Sequence, residues 1–399
     1  MRQGTAQKRI RLAIVVSHPI QYYTPLYRRL AQRADLEIKV FFTWHAGQAP
    51  VRDHGFMQPV AWDIPLTDGY EFELVPNVSD DPGTHRFFGL RNPSLVARVK
   101  AWSPDAVHLT GWAWWSHLLA LRSLRGSGIP VLFRGDSHLL DATRSGLRWH
   151  AKRVLLGRVY SWPRAFLCVG SANREYYEAL GVKSERLYAC PHSIDVARFS
   201  GEAERHELEA TAWRRELGIS DASTVLLFAG KFESKKRPME LMRAVQAFGR
   251  PNLVLVMVGS GELEAEIKRL AQADPARFRV LPFQNQSRMP VVYRLGDVAI
   301  LPSAFGETWG LAANESMACG RPVIVSDRVG CAADVVDDSC GRVFPWDDLS
   351  AMMQAVNEMT SDRSVLATLS LAAARRAWAF DIGRTDETLV QCLRGVCVG

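Results

Sequence analysis

Two glutamates, Glu307 and Glu315, stand with seven residues between them in the stretch Phe305-Gly306-Glu307-Thr308-Trp309-Gly310-Leu311-Ala312-Ala313-Asn314-Glu315. A strand-like run, Val298 to Leu301, precedes them, and a helix punctuated by Gly320 and Pro322 follows. The first acid therefore falls in a loop at a helix mouth, and the second about one turn inside that helix. A helix start offers N–H groups that lack an intrahelical partner and attract anions. Two carboxylates flanking such a start can hold sugar hydroxyls on either side of a bound phosphate. Positive charge comes from Gly230-Lys231-Phe232-Glu233-Ser234-Lys235-Lys236-Arg237, which follows a strand-like run and precedes a helix opened by Pro238. Gly230 permits close backbone approach, and Lys231 and Lys236 are placed to reach one anion, as a diphosphate clamp would. A solvated basic loop is the plain alternative for a lysine run. The position directly behind a buried strand favours the clamp.

Two neighbouring segments are less specific. Val258-Gly259-Ser260-Gly261-Glu262-Leu263 resembles half of a dinucleotide fingerprint. The third glycine is missing, and Glu262 at the helix start would repel phosphate, so the segment reads as a tight strand-to-helix turn. Leu281-Pro282-Phe283-Gln284-Asn285 ends a strand. Its backbone could hydrogen-bond a flat base, with Phe283 near for stacking. A loop that merely turns fits equally well.

These groups need a scaffold, and the apolar pattern supplies one. In the first half, strand-like runs fall at Ile10 to Val16, Leu36 to Phe42, Ala106 to Leu109, Pro130 to Arg134 and Ala165 to Val169, with helical patterns among them. Thr24 reads as an N-cap and Pro25 as the first helical residue. Residues from Thr43 to Pro93 read as irregular, a length that usually signals function or a lid. Polar Glu202 to Arg215 reads as a linker with helical character. The rhythm then restarts with strands at Thr224 to Ala229, Leu253 to Val258, Arg279 to Phe283, Val298 to Leu301 and Val323 to Ser326, and helices at Met239 to Phe248 and Glu262 to Ala273. Short buried strands alternating with helices argue for parallel sheets covered on both faces. The expected fold class is α/β: two tandem doubly wound Rossmann-like domains facing across a cleft, with ligands beyond the carboxyl ends of the strands.

Composition narrows the class. The 399 residues are 47% hydrophobic and 23% charged, as in folded soluble proteins, which argues against disorder. Met1 to Lys8 lacks the apolar core of a signal peptide, and runs such as Leu253 to Val258 are too short to span a bilayer. A cytoplasmic protein, associated with the inner face of the membrane if at all, is expected. Seven cysteines without metal-ligand spacing read as reduced thiols, and no metal site is expected. The net charge of +7 suits anionic substrates or an anionic membrane face. Arg144, Arg148, Lys152, Arg153, Arg158 and Arg164 cluster around Leu147, Trp149, Val154 and Leu155. This is a basic amphipathic helix: a solvated face, or peripheral contact with an anionic membrane. No groove-reading motif points to nucleic acid.

On these residues the second half resembles the nucleotide-sugar domain of retaining glycosyltransferases of family four, enzymes of the two-domain GT-B architecture. Glu307 and Glu315 match that family's acidic pair, with Leu301-Pro302-Ser303 before it and Glu315-Ser316-Met317-Ala318-Cys319-Gly320-Arg321-Pro322-Val323-Ile324 after it. Lys231 and Lys236 match its basic pair; the first is usually arginine, and lysine keeps the charge without the bidentate fork. Pro191-His192-Ser193-Ile194-Asp195-Val196-Ala197-Arg198-Phe199 is similar to the segment leading out of the first domain. Trp378 to Leu393 is similar to a terminal helix returning to that domain. The first half departs from the family. Ser17-His18-Pro19-Ile20-Gln21 stands where a glycine pair is common, and in Phe133-Arg134-Gly135-Asp136-Ser137-His138 a glycine takes the place of the family histidine.

The resemblance implies a basic tail (1–9), an acceptor-side domain (10–200), a linker (201–222), a nucleotide-sugar-binding domain (223–377) and a crossing-back helix (378–399). It implies retaining transfer of a hexose-type sugar from a UDP- or GDP-sugar to a hydroxyl of a glycan or glycolipid, in surface polysaccharide synthesis. Glu307, Lys231 and Lys236 would be catalytic. Glu315 would hold the ribose, with Thr308, Trp309, Gly310, Leu311, Gly230, Phe283 and Gln284 completing the donor site. His18, Gln21, Asp136 and His138 are candidates on the acceptor and phosphate side; for His18, His108 and His138 a structural role is the alternative. No cofactor is expected, because the lysines and helix N–H groups can meet the leaving diphosphate without a metal. The competing readings are an epimerase or hydrolase of nucleotide sugars, and a catalytically silent binding module.

Overall fold

The computed structural model describes residues 9–45, 51–53, 57–141 and 146–398. Apart from Arg9, the expected tail lies outside the described residues, as does Arg144. The strands in chain order are β1 (Ile10–Val16), β2 (Leu36–Phe42), β3 (Val51–Asp53), β4 (Gln58–Val60), β5 (Glu71–Leu74), β6 (Ala106–Thr110), β7 (Val131–Arg134), β8 (Ala165–Cys168), β9 (Leu187–Ala189), β10 (Thr224–Ala229), β11 (Leu253–Val258), β12 (Phe278–Leu281), β13 (Val298–Leu301), β14 (Val323–Ser326) and β15 (Gly341–Phe344). One sheet has the order β5-β2-β1-β6-β7-β8-β9, and the other β12-β11-β10-β13-β14-β15. Both are parallel throughout. β3 and β4 form a separate antiparallel pair.

Alternation along each strand builds two cores per sheet. In β1, Ala13 and Val15 join one core while Leu12, Ile14 and Val16 join the other. In β10, Val225 and Leu227 face one core, and Leu226 and Phe228 the opposite one. A strand buried on both faces must be apolar at every position, and β11, Leu-Val-Leu-Val-Met-Val, is buried along its whole length. Each such side chain contributes about 1.5–3 kcal/mol relative to exposure.

Among the described residues, one unit comprises those of 1–50, 65–191 and 382–399, and the other those of 51–64 and 192–381. The boundaries differ from the sequence-based ones. The change of unit falls at Pro191–His192. The expected linker is a helix, Ala203–Glu216, that belongs to the second unit. It buries Ala210, and Arg214 donates to the Leu295 carbonyl and pairs with Asp297 at 2.8 Å. The closing helix, Ile382–Val398, belongs to the first unit. There Leu389, Cys392 and Leu393 enter the core, and buried Asp386 pairs with Arg29 (2.9 Å) and Arg33 (3.2 Å).

Within 43–93, which reads as irregular in sequence, the described residues contribute β3, β4 and β5. Thr24 is not the N-cap. Tyr23 holds that position, and the Thr24 hydroxyl donates to the Leu66 carbonyl at 3.0 Å. β12 stops at Leu281, which leaves Phe283 in the following loop. All seven cysteines are free. Among the described residues, no helix is long and apolar enough to cross a membrane.

Candidate active site

Parallel strands deliver all their carboxyl ends to one end of a sheet. In the second unit this gathers the loops after β10, β11, β12 and β13. The Phe232 N–H donates to the Ser260 carbonyl at 2.9 Å, and the Leu263 N–H to the Phe232 carbonyl at 3.0 Å. Gly259 makes this contact possible: a Cβ there would stand 1.9 Å from the Gly230 carbonyl oxygen, at a φ of +153°. The glycines that resemble half a dinucleotide fingerprint thus serve backbone packing. Glu262 is not the helix start, for the helix runs Glu264–Ala273. Its carboxylate accepts from the Ser234 N–H (3.1 Å) and hydroxyl (3.0 Å), which pins the lysine loop. Gly259→Ala should therefore lower stability by at least the about 1–3 kcal/mol typical of overpacking, and weaken anion binding with it. Thermal melts check the first effect; an unchanged melting temperature would contradict this packing.

Lys236 lies across Gly230, where a Cβ would be 3.7 Å from its Cδ. Its Nζ donates to Glu307 Oε2. The Ser303 hydroxyl donates to the same oxygen at 3.3 Å, and the Ala304 N–H ties this loop to the Lys235 carbonyl at 2.8 Å. The two charged side chains are only 22% and 16% exposed. Burial pushes the Glu307 carboxyl up, but the charge and hydrogen bond of Lys236, with Lys235 behind, hold it below the usual glutamate value. Lys231 is half-buried beside Gly230.

The loop between the acids enters its helix, Leu311–Ala318, through Gly310 at φ +92°. A Cβ there would lie 2.7 Å from Val329 Cγ1. Trp309 is buried, and its Nε1–H donates to Asn314 Oδ1 at 2.9 Å. The Gly330 N–H donates to the Glu307 carbonyl at 3.0 Å and the Cys331 N–H to the Trp309 carbonyl at 2.9 Å. Thr308 is exposed. Glu315 accepts a hydrogen bond from the Tyr293 hydroxyl. Burial raises the Glu315 carboxyl above its ordinary value; Tyr293 and the charge of Arg198 offset this only in part. The two acids are therefore driven in opposite directions, one by a cation and the other by burial.

Phe283 and Gln284 sit on the loop after β12. Phe283 packs near Trp62, with ring centroids 6.2 Å apart. The segment carrying Trp62 is tied on: Asn285 Nδ2–H donates to the Ala61 carbonyl at 2.6 Å, and the Ser287 N–H to Asp63 Oδ1 at 3.0 Å. The sequence reading missed Trp62, Tyr293 and Ser303. Ser303 was legible as part of the Leu-Pro-Ser run, but Trp62 and Tyr293 reach the site only through tertiary packing.

In the first unit, His18 and Gln21 follow β1, and Asp136 and His138 follow β7, at the carboxyl ends of parallel strands. The Ser17 hydroxyl lies 2.9 Å from His18 Nδ1, and the His18 ring meets Trp44 edge-on at 5.4 Å. His138 Nδ1 accepts from the Leu140 N–H at 3.2 Å. Gln21 and Asp136 are half-buried. Arg134, the last residue of β7, is buried and donates to the Cys190 carbonyl at 2.8 Å. His108 is buried on β6, where burial and then the charge of Arg134 push it down to about 3. Among the described residues, no three or more His, Cys, Asp or Glu side chains could hold a metal ion.

A family model described as Glycosyltransferase Family 4 matches residues 21–198, and one described as Glycosyl transferases group 1 matches residues 209–376. Together they take in most of the chain. The chain belongs to the family-four glycosyltransferases. Among its curated relatives is the D-inositol 3-phosphate glycosyltransferase of Salinispora arenicola, 30% identical over 222 residues, or 52% of this chain and 49% of that protein. Another is the Nocardia farcinica protein of the same name, 28% identical over 229 residues, or 55% of this chain and 49% of that one. The chain spans about half the length of the curated relatives it matches. Of solved structures, sucrose-phosphate synthase from Thermosynechococcus elongatus aligns with a TM-score of 0.74 at 19% identity, over 97% of this chain and 99% of that one. Anabaena HepE in complex with UDP and glucose aligns with a TM-score of 0.72 at 15% identity, over 97% and 100%. These likenesses show the GT-B fold.

Proposed function

We propose that the chain transfers a hexose-type sugar, with retention, from a UDP- or GDP-sugar to a hydroxyl of a glycan or glycolipid, in surface polysaccharide synthesis on the cytoplasmic side of a membrane. The observation that carries this reading is the Lys236–Glu307 pair at the mouth of the helix that bears Glu315. A departing nucleoside diphosphate gathers negative charge while the sugar carbon becomes cation-like. Fixed positive groups aimed at the phosphates lower that barrier. Lys231 and Lys236 provide charge, and the N–H groups near Trp309, Gly310 and Leu311 provide oriented dipoles. A bound diphosphate would compete with Glu307 for Lys236, freeing that carboxylate for the sugar hydroxyls. Glu315, one helical turn on, is left for the ribose, with Phe283, Gln284 and Gly230 lining the nucleotide. His18, Gln21, Asp136 and His138 serve the acceptor and phosphate side of the first unit. Retention follows from front-face attack, in which the leaving phosphate takes the acceptor proton.

In this reading the lysines and helix dipoles balance the diphosphate without a metal. A panel of UDP- and GDP-sugars, with D-inositol 3-phosphate as the first acceptor because the relatives carry that name, tests the reading. Acceptor-dependent transfer that persists in excess chelator is expected. Activity abolished by chelator and restored by magnesium would overturn the metal-free part. Donor cleavage indifferent to every acceptor would point to a hydrolase.

A further inference from the structure

We propose that the outer face of the helix Leu147–Val159 docks on an anionic lipid bilayer. This helix is apolar on two sides. Leu156 and Val159 point into the first unit's core, and Trp149 packs against it. Leu147, Val154 and Leu155 face away and are 86%, 76% and 64% exposed. Spacings of seven and eight residues put these three on one side of an α-helix, with Ala151 between, His150 at one margin and Arg158 on the same side one turn beyond Val154. A helix whose only task is to cover a core keeps such a face polar. Three large apolar side chains gathered there need a partner.

The charge says which partner. From Ala142 to Arg174 the chain has seven lysines and arginines and no aspartate or glutamate. Arg158, exposed, stands at the carboxyl end of the apolar face, and Arg153, also exposed, lies further round the helix. Lys152 turns the other way, with its Nζ 5.4 Å from the Tyr176 ring centre. An apolar strip with an arginine at its end, on a basic segment without an acid, matches acyl chains beneath anionic headgroups. A protein partner or a second copy of this chain would have to bring the acids this segment lacks. This rests on the proposed function only in that a reaction on the cytoplasmic side of a membrane gives such docking a use. Vesicle binding is read without turnover, so this inference can fail while the transfer reading holds, and the reverse.

The test is sedimentation of the full chain with vesicles of phosphatidylglycerol and phosphatidylcholine, against phosphatidylcholine alone, at low and high salt. Wild type should pellet with the anionic vesicles and weaken by about tenfold or more on raising salt through the screening range. Combined Leu147→Ser, Val154→Ser and Leu155→Ser should lose pelleting with the melting temperature unchanged, because the three sites are on the surface. Arg153→Glu with Arg158→Glu should do the same. Equal pelleting of the serine variant, or equal binding to neutral vesicles, would overturn the proposal. So would wild type that ignores both vesicles yet is a dimer that the serine variant dissociates, for the face would then be a self-association surface.

Discussion

Lys236→Ala should lower kcat by about 10²–10³-fold, the usual loss when one preorganised group facing developing charge is removed. The same change should cost stability, since it strands a largely buried carboxylate. Fully buried pairs broken on one side lose about 3–5 kcal/mol; with both groups part-exposed, about 1–3 kcal/mol is expected here. The pH dependence separates the two effects. In the wild type the Glu307 carboxyl is held below its ordinary value, so it contributes stability that is present above the unfolded pKa and lost as pH falls through the folded one. Without Lys236, burial is opposed only by the charge of Lys235 and the Ser303 hydroxyl, and the folded value rises. Ionised Glu307 then costs stability, and the cost grows as pH rises through the range above the ordinary value. The gap between variant and wild-type melting temperatures should be small in acid and full at neutral pH. Pairing Lys236→Met with Glu307→Gln should restore much of the stability and none of the turnover. Kinetics and thermal melts across pH check this; a double variant that recovers activity would show the pair to be purely structural.

Glu315→Gln should behave in the opposite way in the ligand-free protein. Glu315 has a raised folded value, so ionising it opposes folding: the protonated form's advantage is fully present below the unfolded pKa and lost as pH rises through the folded one. The neutral amide removes that penalty and can still accept from the Tyr293 hydroxyl. The apo variant should melt at or above the wild-type temperature at pH 7–8, with the advantage fading in acid. Donor affinity should meanwhile fall about ten- to a hundredfold, the equivalent of charge-assisted hydrogen bonds worth about 1.5–3 kcal/mol. Calorimetric titration and melts of the same preparations check both signs. Lower stability with unchanged affinity would assign Glu315 to the fold.

The α/β class was legible because buried parallel strands are apolar at every position. Leu253 to Val258 and Val298 to Leu301 could hardly be anything else, and their carboxyl ends point to the site. The two acids and the lysine loop were legible because chemistry needs charged groups at loops and helix starts, where glycines mark the turns. What escaped has one physical cause, which is contact between residues distant in sequence. The helix Ala203–Glu216 is so polar that it passes for a linker, yet Ala210 and Arg214 anchor it to the second unit. The described residues of 51–64 belong to that unit although they precede most of the first. Glu262 suggests repulsion at a helix start, while it binds the Ser234 backbone instead. The short edge strands β9 and β15 carry too few residues to show a period. Tyr293 gives no sign in the sequence that its hydroxyl will meet Glu315.

Direct titration of the full chain with UDP- and GDP-sugars is the most direct test of the assigned donor site. One class of nucleotide sugar should bind at a single site, more weakly after Lys231→Ala and Lys236→Ala, and be lost after Glu315→Ala. Affinity that is the same in all three variants and the wild type would contradict the account.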